Sequence, residues 1–400
     1  LNATAFAESQ LGGADFSQSK MDRADFRSAH VVNANFSGVN ASGALFDNAN
    51  LEAATFRDAN LRNAAFPSAR LVGVDFENSE IREVDFTATT ARGLTASQIY
   101  STASYRAKNI DAIELKQNNL DSWDFTGQSA IGARFTDSSL VGAVFLDAKL
   151  ANAEFSRTDI SFADFRGATN ANINSAHTQR NVLRPNGDLQ GMQLQSGEEL
   201  IVRDHMVGVT VLQAMALAPD ATLEFWLQDH DWDGPINVAP NVTPNLDGNL
   251  SLAFDRGIDL PSMIGASFHL FNWNDRLTAG DAFESILVPP RTTWDLSALY
   301  TDGVVRLLQA SLLGDSDGDF LVNITDLNNV RNNFGGSGLG DTDGDLDVDI
   351  NDLNAVRNNF GNSLGAQSVP EPTAAPLLAI AAATLAFTKR RSIWRRGQLN

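Results

Sequence analysis

Two acidic segments near the carboxyl-terminal end have the spacing of metal ligands. Residues 315–326, the first loop, and residues 341–352, the second loop, repeat after 26 positions. In each loop, oxygen-bearing residues occupy positions 1, 3, 5, 9 and 12, the arrangement that a hard cation of high coordination number requires. The sequence therefore predicts two Ca²⁺ sites. The predicted ligands are Asp315, Asp317, Asp319, the Leu321 carbonyl, Asn323 and Asp326 in the first loop, and Asp341, Asp343, Asp345, the Asp347 carbonyl, Asp349 and Asp352 in the second.

A tail of nearly the same sequence follows each loop, with Val-Arg-Asn-Asn-Phe-Gly at residues 330–335 and again at residues 356–361. A duplicated loop and helix with Asp at position 12, and no helix before the loop, resembles a type I dockerin, an EF-hand-type calcium module. The loops depart from the EF-hand pattern at position 6, where Phe320 and Leu346 replace glycine. The resemblance implies a dockerin-like module over residues 314–363 that Ca²⁺ orders, with a cohesin-like protein as a candidate partner. The alternative is an acidic, solvated linker.

No catalytic constellation stands out elsewhere in the sequence. The chain has no cysteine, which excludes thiol catalysis, thiolate metal sites and disulfides. The motifs of serine hydrolases, zinc proteases and phosphate loops are also missing. The densest polar cluster, at residues 229–233, is either a metal site around His230 or a solvated loop, and His205 and His269 fall in strand-like stretches typical of structural histidines. The sequence predicts a protein that is not an enzyme, with a glycan-active β-domain as the enzymatic alternative.

The first half of the chain has an apolar residue at almost every fifth position. Phenylalanine recurs every ten residues from Phe6 to Phe86, and Leu, Met, Val, Ile or Ala stands midway between these phenylalanines. The residue two positions before each centre is usually small. A period of five matches neither an amphipathic helix nor an ordinary strand. It predicts a repeat architecture, in which each unit must stack on its neighbours to bury its apolar face.

Runs such as Ala-Asp-Phe-Arg-Ser at residues 24–28 and Ala-Asn-Leu-Arg-Asn at residues 59–63 resemble the pentapeptide repeat, written A(D/N)LXX. The resemblance implies a right-handed quadrilateral β-helix over residues 1–175, with four pentapeptides per coil. Because ten divides a twenty-residue coil, the phenylalanines should form two stacked columns on opposite faces. Residues 88–109 interrupt the repeat as a loop or short helix, and Trp123 is expected to distort its coil. An alternative makes the insert a binding feature of Tyr100, Tyr105, Arg106 and Lys108.

Residues 178–312 have a different composition, with more proline, tryptophan and β-branched residues. Short strand-like runs alternate with turn dipeptides such as Asn186-Gly187 and Ser196-Gly197. The pattern predicts a β-rich domain, either an antiparallel sandwich or another β-solenoid. Residues 250–273 and 294–296 resemble the terminal β-domain of secreted bacterial proteins that carry sorting tails.

Residues 369–396 combine three features in order. Val-Pro-Glu-Pro at residues 369–372 precedes an apolar run at residues 374–387, and a basic end follows with Lys389, Arg390 and Arg391. This order resembles the PEP-CTERM sorting signal. The resemblance implies export, a transient inner-membrane anchor through a short transmembrane helix, and processing by an exosortase-type enzyme, with the basic end remaining cytoplasmic. The alternative is a buried terminal helix.

The net charge of −20 argues against a nucleic-acid partner, because such proteins present a basic face. The chain starts at Leu1 already in repeat phase, which predicts that its amino-terminal end is incomplete. We interpret the sequence as an exported structural or adhesive protein, located in the cell envelope or extracellular matrix, with an anionic polysaccharide as a further candidate partner. Two alternatives are a dockerin-linked component of a polysaccharide-degrading system and a DNA-mimicking, topoisomerase-binding protein. The export tail and the arginines of the repeat argue against the second.

Overall fold

The computed structural model describes most of the chain in two compact units. The described residues are 3–228, 230, 232, 234–255, 258, 260–277, 280–289, 292–310, 313–317, 321–336, 338–342 and 347–361. Unit 1 comprises Leu1–Asp259 and Met263–Leu308, and unit 2 comprises Leu260–Ser262 and Gln309–Asn400. Unit 1 contains the pentapeptide region and the second β-region. Unit 2 contains the two acidic loops.

The pentapeptide region is a four-sided β-helix. In its regular coils, parallel bridges join residues that are 20 positions apart, four to a coil, as in Ala5↔Asp25, Gln10↔His30, Asp15↔Asn35 and Lys20↔Asn40. The amide of each central residue donates to the next coil, as Phe26 N does to Leu45 O at 2.7 Å. The structure confirms the quadrilateral β-helix expected from the sequence.

The two phenylalanine columns fill the interior of this β-helix. Phe46 is fully buried, and its ring stacks on Phe26 and Phe66 at centroid distances of 5.0 and 4.8 Å. Phe56, in the other column, meets the same ring edge to face at 5.5 Å. Aromatic pairs favour both geometries. The predicted columns are therefore confirmed, and each ring contacts its own column and the facing one.

The insert enlarges one coil of the β-helix. Asp85 pairs with Glu114, 29 positions on instead of 20, so the insert adds nine residues. It forms a 3₁₀-helix, Thr90–Arg92, and two short helices, α1 (Ala96–Tyr100) and α2 (Ala103–Arg106). Ile99 is fully buried in the core of the β-helix. The insert is therefore an integral part of the coil.

Two tyrosine hydroxyls form the hydrogen bonds to the Asp124 backbone that a strand of a regular coil would form. Asp124 N donates to Tyr100 Oη at 2.6 Å, and Tyr105 Oη donates to Asp124 O at 2.6 Å. In the next coil, the equivalent amide of Val144 donates to a backbone carbonyl, that of Trp123, at 2.9 Å. These bonds give both tyrosines a structural role, whereas the alternative reading of the insert placed them in a binding site.

Trp123 does not distort its coil, contrary to expectation. Its amide makes the usual turn bond to Leu120 O at 3.1 Å, and its carbonyl accepts from the next coil. The indole is 7% exposed and meets the Tyr100 ring edge to face at 6.4 Å. The large side chain is accommodated next to the insert, where the preceding coil has no regular strand.

We expect Tyr100→Phe to expose the Asp124 amide to hydrogen exchange, because the phenyl ring keeps the packing and removes the acceptor. The free energy of unfolding should fall by about 1 kcal/mol, the usual net contribution of such a bond. Amide exchange measured residue by residue checks this. Tyr105→Phe is the matched control, since it leaves the Asp124 amide bonded. Equal protection of that amide in wild type and Tyr100→Phe would contradict the assignment.

The second region is a three-sided parallel solenoid, extended by a small third sheet. Its parallel sheets have the orders β1-β4-β7-β11, β2-β5-β8 and β3-β6-β9-β12, and β10-β14-β13 forms the additional sheet, in which β10 and β14 are antiparallel. A 3₁₀-helix spans Leu260–Met263. The strands are β1 (Asp188–Leu189), β2 (Met192–Leu194), β3 (Glu199–Arg203), β4 (Val209–Val211), β5 (Met215–Leu217), β6 (Thr222–Leu227), β7 (Ile236–Val238), β8 (Pro244–Leu246), β9 (Asn249–Phe254), β10 (Ser267–His269), β11 (Phe271–Asn272), β12 (Ser285–Leu287), β13 (Thr292–Asp295) and β14 (Val304–Ala310).

Of the two folds predicted for this region, the solenoid is observed and the sandwich is wrong. The turn dipeptides lie at corners of the solenoid: Gly187, with a φ of 84°, precedes β1, and Gly197, with a φ of 74°, lies between β2 and β3. Each strand therefore pairs with the strand one coil later, as Glu199 does with Thr222. Alternate residues of β6 face inward, where Leu223, Phe225 and Leu227 are fully buried.

The two solenoids share one backbone ladder. Gly167 N donates to Pro185 O at 2.9 Å, and Thr210 N donates to Gly187 O at 2.9 Å, so the hydrogen bonds continue where four sides become three. Arg166 is fully buried at this junction. It forms an ion pair with Asp164 at 2.7 Å and donates to the carbonyls of Arg203 and Val207 at 2.7 and 3.2 Å. One guanidinium thus links the last pentapeptide coil to the first part of the second solenoid.

No described helix has the length and apolar character needed to cross a membrane. The predicted sorting tail at residues 369–396, with its apolar run at residues 374–387, lies outside the described residues. Its role as a transmembrane anchor stays a prediction.

Candidate metal centre in the paired acidic loops

Each acidic loop leads directly into a helix with a capping box. Helix α3 (Ile324–Asn333) starts after Asn323, whose side chain accepts from Thr325 N at 2.7 Å, and Asp326 Oδ2 accepts from Asn323 N at 2.7 Å. Helix α4 (Ile350–Asn359) repeats these bonds with Asp349 and Asp352. The residues predicted to bind metal from positions 9 and 12 therefore also fix the start of each helix.

The position-12 carboxylates also hold the start of each loop. Asp326 Oδ1 accepts from Ser316 N at 2.6 Å and from Ser316 Oγ at 2.9 Å. Asp352 Oδ1 accepts from Thr342 N and, at 3.1 Å, from Thr342 Oγ1. Both aspartates are fully buried. Sequence reasoning missed Ser316 and Thr342, although the hydroxyl shared at position 2 of both loops was an available signal.

Part of each predicted ligand set converges in the structure. In the first loop, one oxygen from each of Asp315, Asp317 and Asp326 lies within 4.8 Å of the others. Asp315 is fully buried, and Leu321 is 47% exposed. Asp319 lies outside the described residues. The described part of this loop therefore gathers three carboxylates around one point.

The second loop gathers a different trio, Asp347, Asp349 and Asp352, within the same 4.8 Å. Asp341 is described and does not belong to this trio. Asp343 and Asp345 lie outside the described residues. The Asp347 contribution here is a carboxylate oxygen, whereas the sequence predicts its carbonyl as the ligand.

The two loop-helix halves pair around a small valine core. Gly361 N donates to Val322 O at 2.7 Å, and Gly335 N donates to Val348 O at 2.8 Å, so each loop bonds to the end of the other helix. The core consists of Val322, Val330, Val348 and Val356, with Leu327 and Leu353 packed against it. This reciprocal arrangement explains why the apolar tails of the two repeats match.

A glycine before each loop permits this close approach. Gly314 has a φ of 94°, and a Cβ there would lie 2.8 Å from Ala355 O. Gly340 has a φ of 115°, and its Cβ would lie 2.8 Å from Asn329 O. A side chain at either position would force the two halves apart.

The donor chemistry of the loops suits a hard cation. Every converging side chain is a carboxylate, and residues 314–361 contain no histidine or cysteine, the ligands that zinc and softer metals prefer. Ca²⁺ requires six to eight oxygen ligands, which the remaining loop positions, carbonyls and water would complete. The site residues thus fit Ca²⁺, and its binding stays a prediction.

We expect calorimetric titration of the full chain with Ca²⁺ to show two sites, and Asp326→Ala to remove the first. The substitution should also destabilise the metal-free module by about 1–3 kcal/mol, because the amides of Ser316 and Asn323 lose their acceptor. Asp302→Asn, at an exposed position in unit 1, is the control of similar charge change. The same number of sites in wild type and Asp326→Ala would refute the ligand assignment.

The histidines predicted as structural have local partners or exposed positions. His205 Nδ1 accepts from Val207 N at 3.1 Å, and its Nε2 lies 3.2 Å from Asp147 Oδ1. His269 is exposed on β10. In the polar cluster at residues 229–233, the three aspartates lie outside the described residues. A metal site around His230 stays a prediction.

Comparison with known proteins agrees with the architecture of the first region. The family model described as pentapeptide repeats matches in eight copies, with matches over residues 1–38, 9–46, 34–71, 59–93, 124–156 and 131–167. None of the curated proteins compared with the chain matches it.

Solved structures of pentapeptide repeat proteins are also similar to this chain. HetL, involved in heterocyst differentiation regulation in the cyanobacterium Nostoc, is 17% identical over 47% of this chain and 92% of its own, with a TM-score of 0.25. A pentapeptide repeat protein of the Arabidopsis thaliana thylakoid lumen is 24% identical over 34% of this chain and 65% of its own, with a TM-score of 0.19. QnrB1, a plasmid-mediated fluoroquinolone resistance protein, is 19% identical over 46% and 87%, with a TM-score of 0.25.

The similarity rests on the family match and on the coil geometry. The matched segments cover residues 1–93 and 124–167 and leave out residues 94–123, which include most of the insert. Outside the insert, most of these residues form four-sided coils with 20 residues per turn. Residues 1–93 and 124–167 are therefore similar to pentapeptide repeats in sequence and in coil geometry.

Proposed function

We propose that this chain is an exported structural or adhesive protein of the cell envelope or extracellular matrix. Its solenoid acts as a spacer, its paired loops form a calcium-binding module, and its carboxyl-terminal tail directs anchoring and processing. Ca²⁺ orders the module and makes its interactions with partners calcium-dependent.

The observation that carries this proposal is the continuity of the backbone ladder. Parallel pairing runs from Ala5 to β12, passing the insert by the Asp85↔Glu114 bridge and continuing beyond the junction at Arg166. Each coil adds about 4.8 Å, the spacing of neighbouring strands. Solenoids of this kind present long surfaces and gain stability from each neighbouring coil. Such a structure suits the separation of binding modules.

The charge distribution gives less support to a DNA-mimicking role. Residues 1–175 contain 21 acidic and 15 basic side chains. Arginines pair with carboxylates of neighbouring coils, as in Arg57–Asp75, Arg62–Glu83 and Arg157–Asp137. A mimic of the DNA backbone needs rows of uncompensated negative charge. The paired arginines neutralise much of this surface.

The test is the cellular fraction and intact mass of the native protein. We expect it in the envelope or the medium, without the residues that follow Pro372. A variant with Pro370→Ala, Glu371→Ala and Pro372→Ala is the control, and it should keep its tail. A cytoplasmic protein of full mass would refute the exported role. Gyrase inhibition by that protein would then support the topoisomerase-binding alternative.

A further inference from the structure

A polar pocket of about 210 Å³ opens in unit 1 where the β-helix passes into the second solenoid. Its walls carry amide and guanidinium groups, and its lining also includes the apolar residues Val182 and Leu189. Both apolar residues are almost fully buried, with exposures of 3% and 1%. The polar residues of the wall are Gln179, Arg180, Arg184, Gln190, Gln193 and Gln213.

The pocket presents one positive charge without a carboxylate partner. Arg180 forms two hydrogen bonds with Glu198, at 2.9 and 2.7 Å, and these bonds hold the pKa of Glu198 below its ordinary value. This pair is neutral overall. Arg184 Nη2 donates to Gln179 Oε1 at 3.0 Å, and no described carboxylate forms an ion pair with Arg184. The guanidinium of Arg184 therefore has further N–H donors with which it can bind one anionic group.

Hydrogen bonds to the backbone fix one wall of the pocket. The glutamine side chains at its rim can both donate and accept hydrogen bonds. The Asn181 side chain bonds to the Gln193 amide and carbonyl at 2.9 and 3.0 Å, and Asn181 is only 5% exposed. Gln213 Nε2 donates to Gln190 Oε1 at 3.2 Å. This bond leaves each amide with further donor and acceptor capacity. A ligand with adjacent hydroxyl groups needs partners of this kind, because each hydroxyl both donates and accepts hydrogen bonds.

We propose that this pocket binds a uronic-acid residue of an anionic polysaccharide. Arg184 receives the carboxylate, since guanidinium and carboxylate groups match in charge and planar geometry. The glutamine amides receive the hydroxyls. The volume lies below the roughly 300–1,000 Å³ of pockets for drug-sized ligands, which favours a single sugar ring. This inference rests on the proposed surface role and names a ligand for it.

The experiment is a calorimetric titration of the full chain with trisaccharides of galacturonate, glucuronate and mannuronate. A chelator is present, so that Ca²⁺ cannot bridge the sugars to the acidic loops. We expect at least one trimer to bind, and Arg184→Gln to weaken that binding at least tenfold. Arg27→Gln, which removes an equal charge from an exposed residue of the β-helix, should leave binding within twofold. Neutral galactotriose should bind at least tenfold more weakly than the uronate.

Several results would overturn the proposal. These are no binding of any uronate trimer by the wild type, equal binding by Arg184→Gln, or an equal loss in Arg27→Gln. If inorganic sulfate displaces the uronate at equal concentration, the site recognises negative charge and not the sugar. That result would also overturn the proposal. If Arg184→Gln fails to fold, the exposed Gln213→Ala serves instead, with an expected loss of several-fold, and unchanged binding would refute the amide contact. Failed binding by an envelope-located protein refutes only the pocket, whereas a cytoplasmic protein that binds uronate refutes only the exported role.

Discussion

Phe46→Ala is expected to lower the free energy of unfolding by about 3–5 kcal/mol, as for other fully buried phenylalanines replaced by alanine. Phe46 has rings of its own column on both sides, at 5.0 and 4.8 Å, and a ring of the facing column at 5.5 Å. The cavity would be enclosed by the backbone of a closed coil, which has little freedom to collapse.

Denaturant unfolding of the full chain measures this effect. Leu45→Ala is the matched control, because Leu45 is the adjacent residue of the same coil and is only partly buried. Leu45→Ala should lower the free energy of unfolding clearly less than Phe46→Ala does. A loss below about 1 kcal/mol for Phe46→Ala would show that the column adds little to stability, since cavity formation alone costs more.

Arg166→Ala should also cost about 3–5 kcal/mol, the range for breaking a buried ion pair by removing one partner. The substitution leaves Asp164, 1% exposed, without its counter-ion. It also removes the donors to the carbonyls of Arg203 and Val207. Because these carbonyls belong to the second solenoid, unfolding of the two solenoids should separate into two transitions.

An exposed pair of the same type provides the control for this prediction. The Arg157 side chain is 69% exposed and pairs with Asp137 in the β-helix. Arg157→Ala should lower the free energy of unfolding clearly less than Arg166→Ala, since exposed ion pairs contribute little. Calorimetry checks this. A single unfolding transition, with an equally small loss of stability in Arg166→Ala and Arg157→Ala, would contradict the linking role of Arg166.

The repeat could be predicted from the sequence because its period directly gives the geometry. A phenylalanine at every tenth position is compatible with few arrangements, and Phe46 lies where the period places it. The helix after each acidic loop could also be predicted, whereas the capping role of Asn323 and Asp326 was seen only in the structure. In these segments, local preference and tertiary structure agree.

The second solenoid could not be predicted to the same degree, because its coils have no fixed length. Glu199 pairs with Thr222, Thr222 with Asn249, and Asn249 with Ser285, so successive pairs differ in separation. Parallel pairing at variable distance leaves no period to detect. The contacts of Tyr100 and Tyr105 with Asp124 were equally hidden, since they depend on how an irregular insert folds back.

The twenty-residue coil of the first region also has a consequence for how such chains change in length. Contacts in a solenoid are made only between adjacent coils. A tandem duplication of any 20 contiguous residues within residues 3–87 would place each new phenylalanine in an existing column and lengthen the solenoid by about 4.8 Å. A duplication of ten residues would exchange the two columns. Whole coils can therefore be gained or lost without disturbing the packing of the columns. The junction at Arg166 can stay unchanged while the number of coils before it varies.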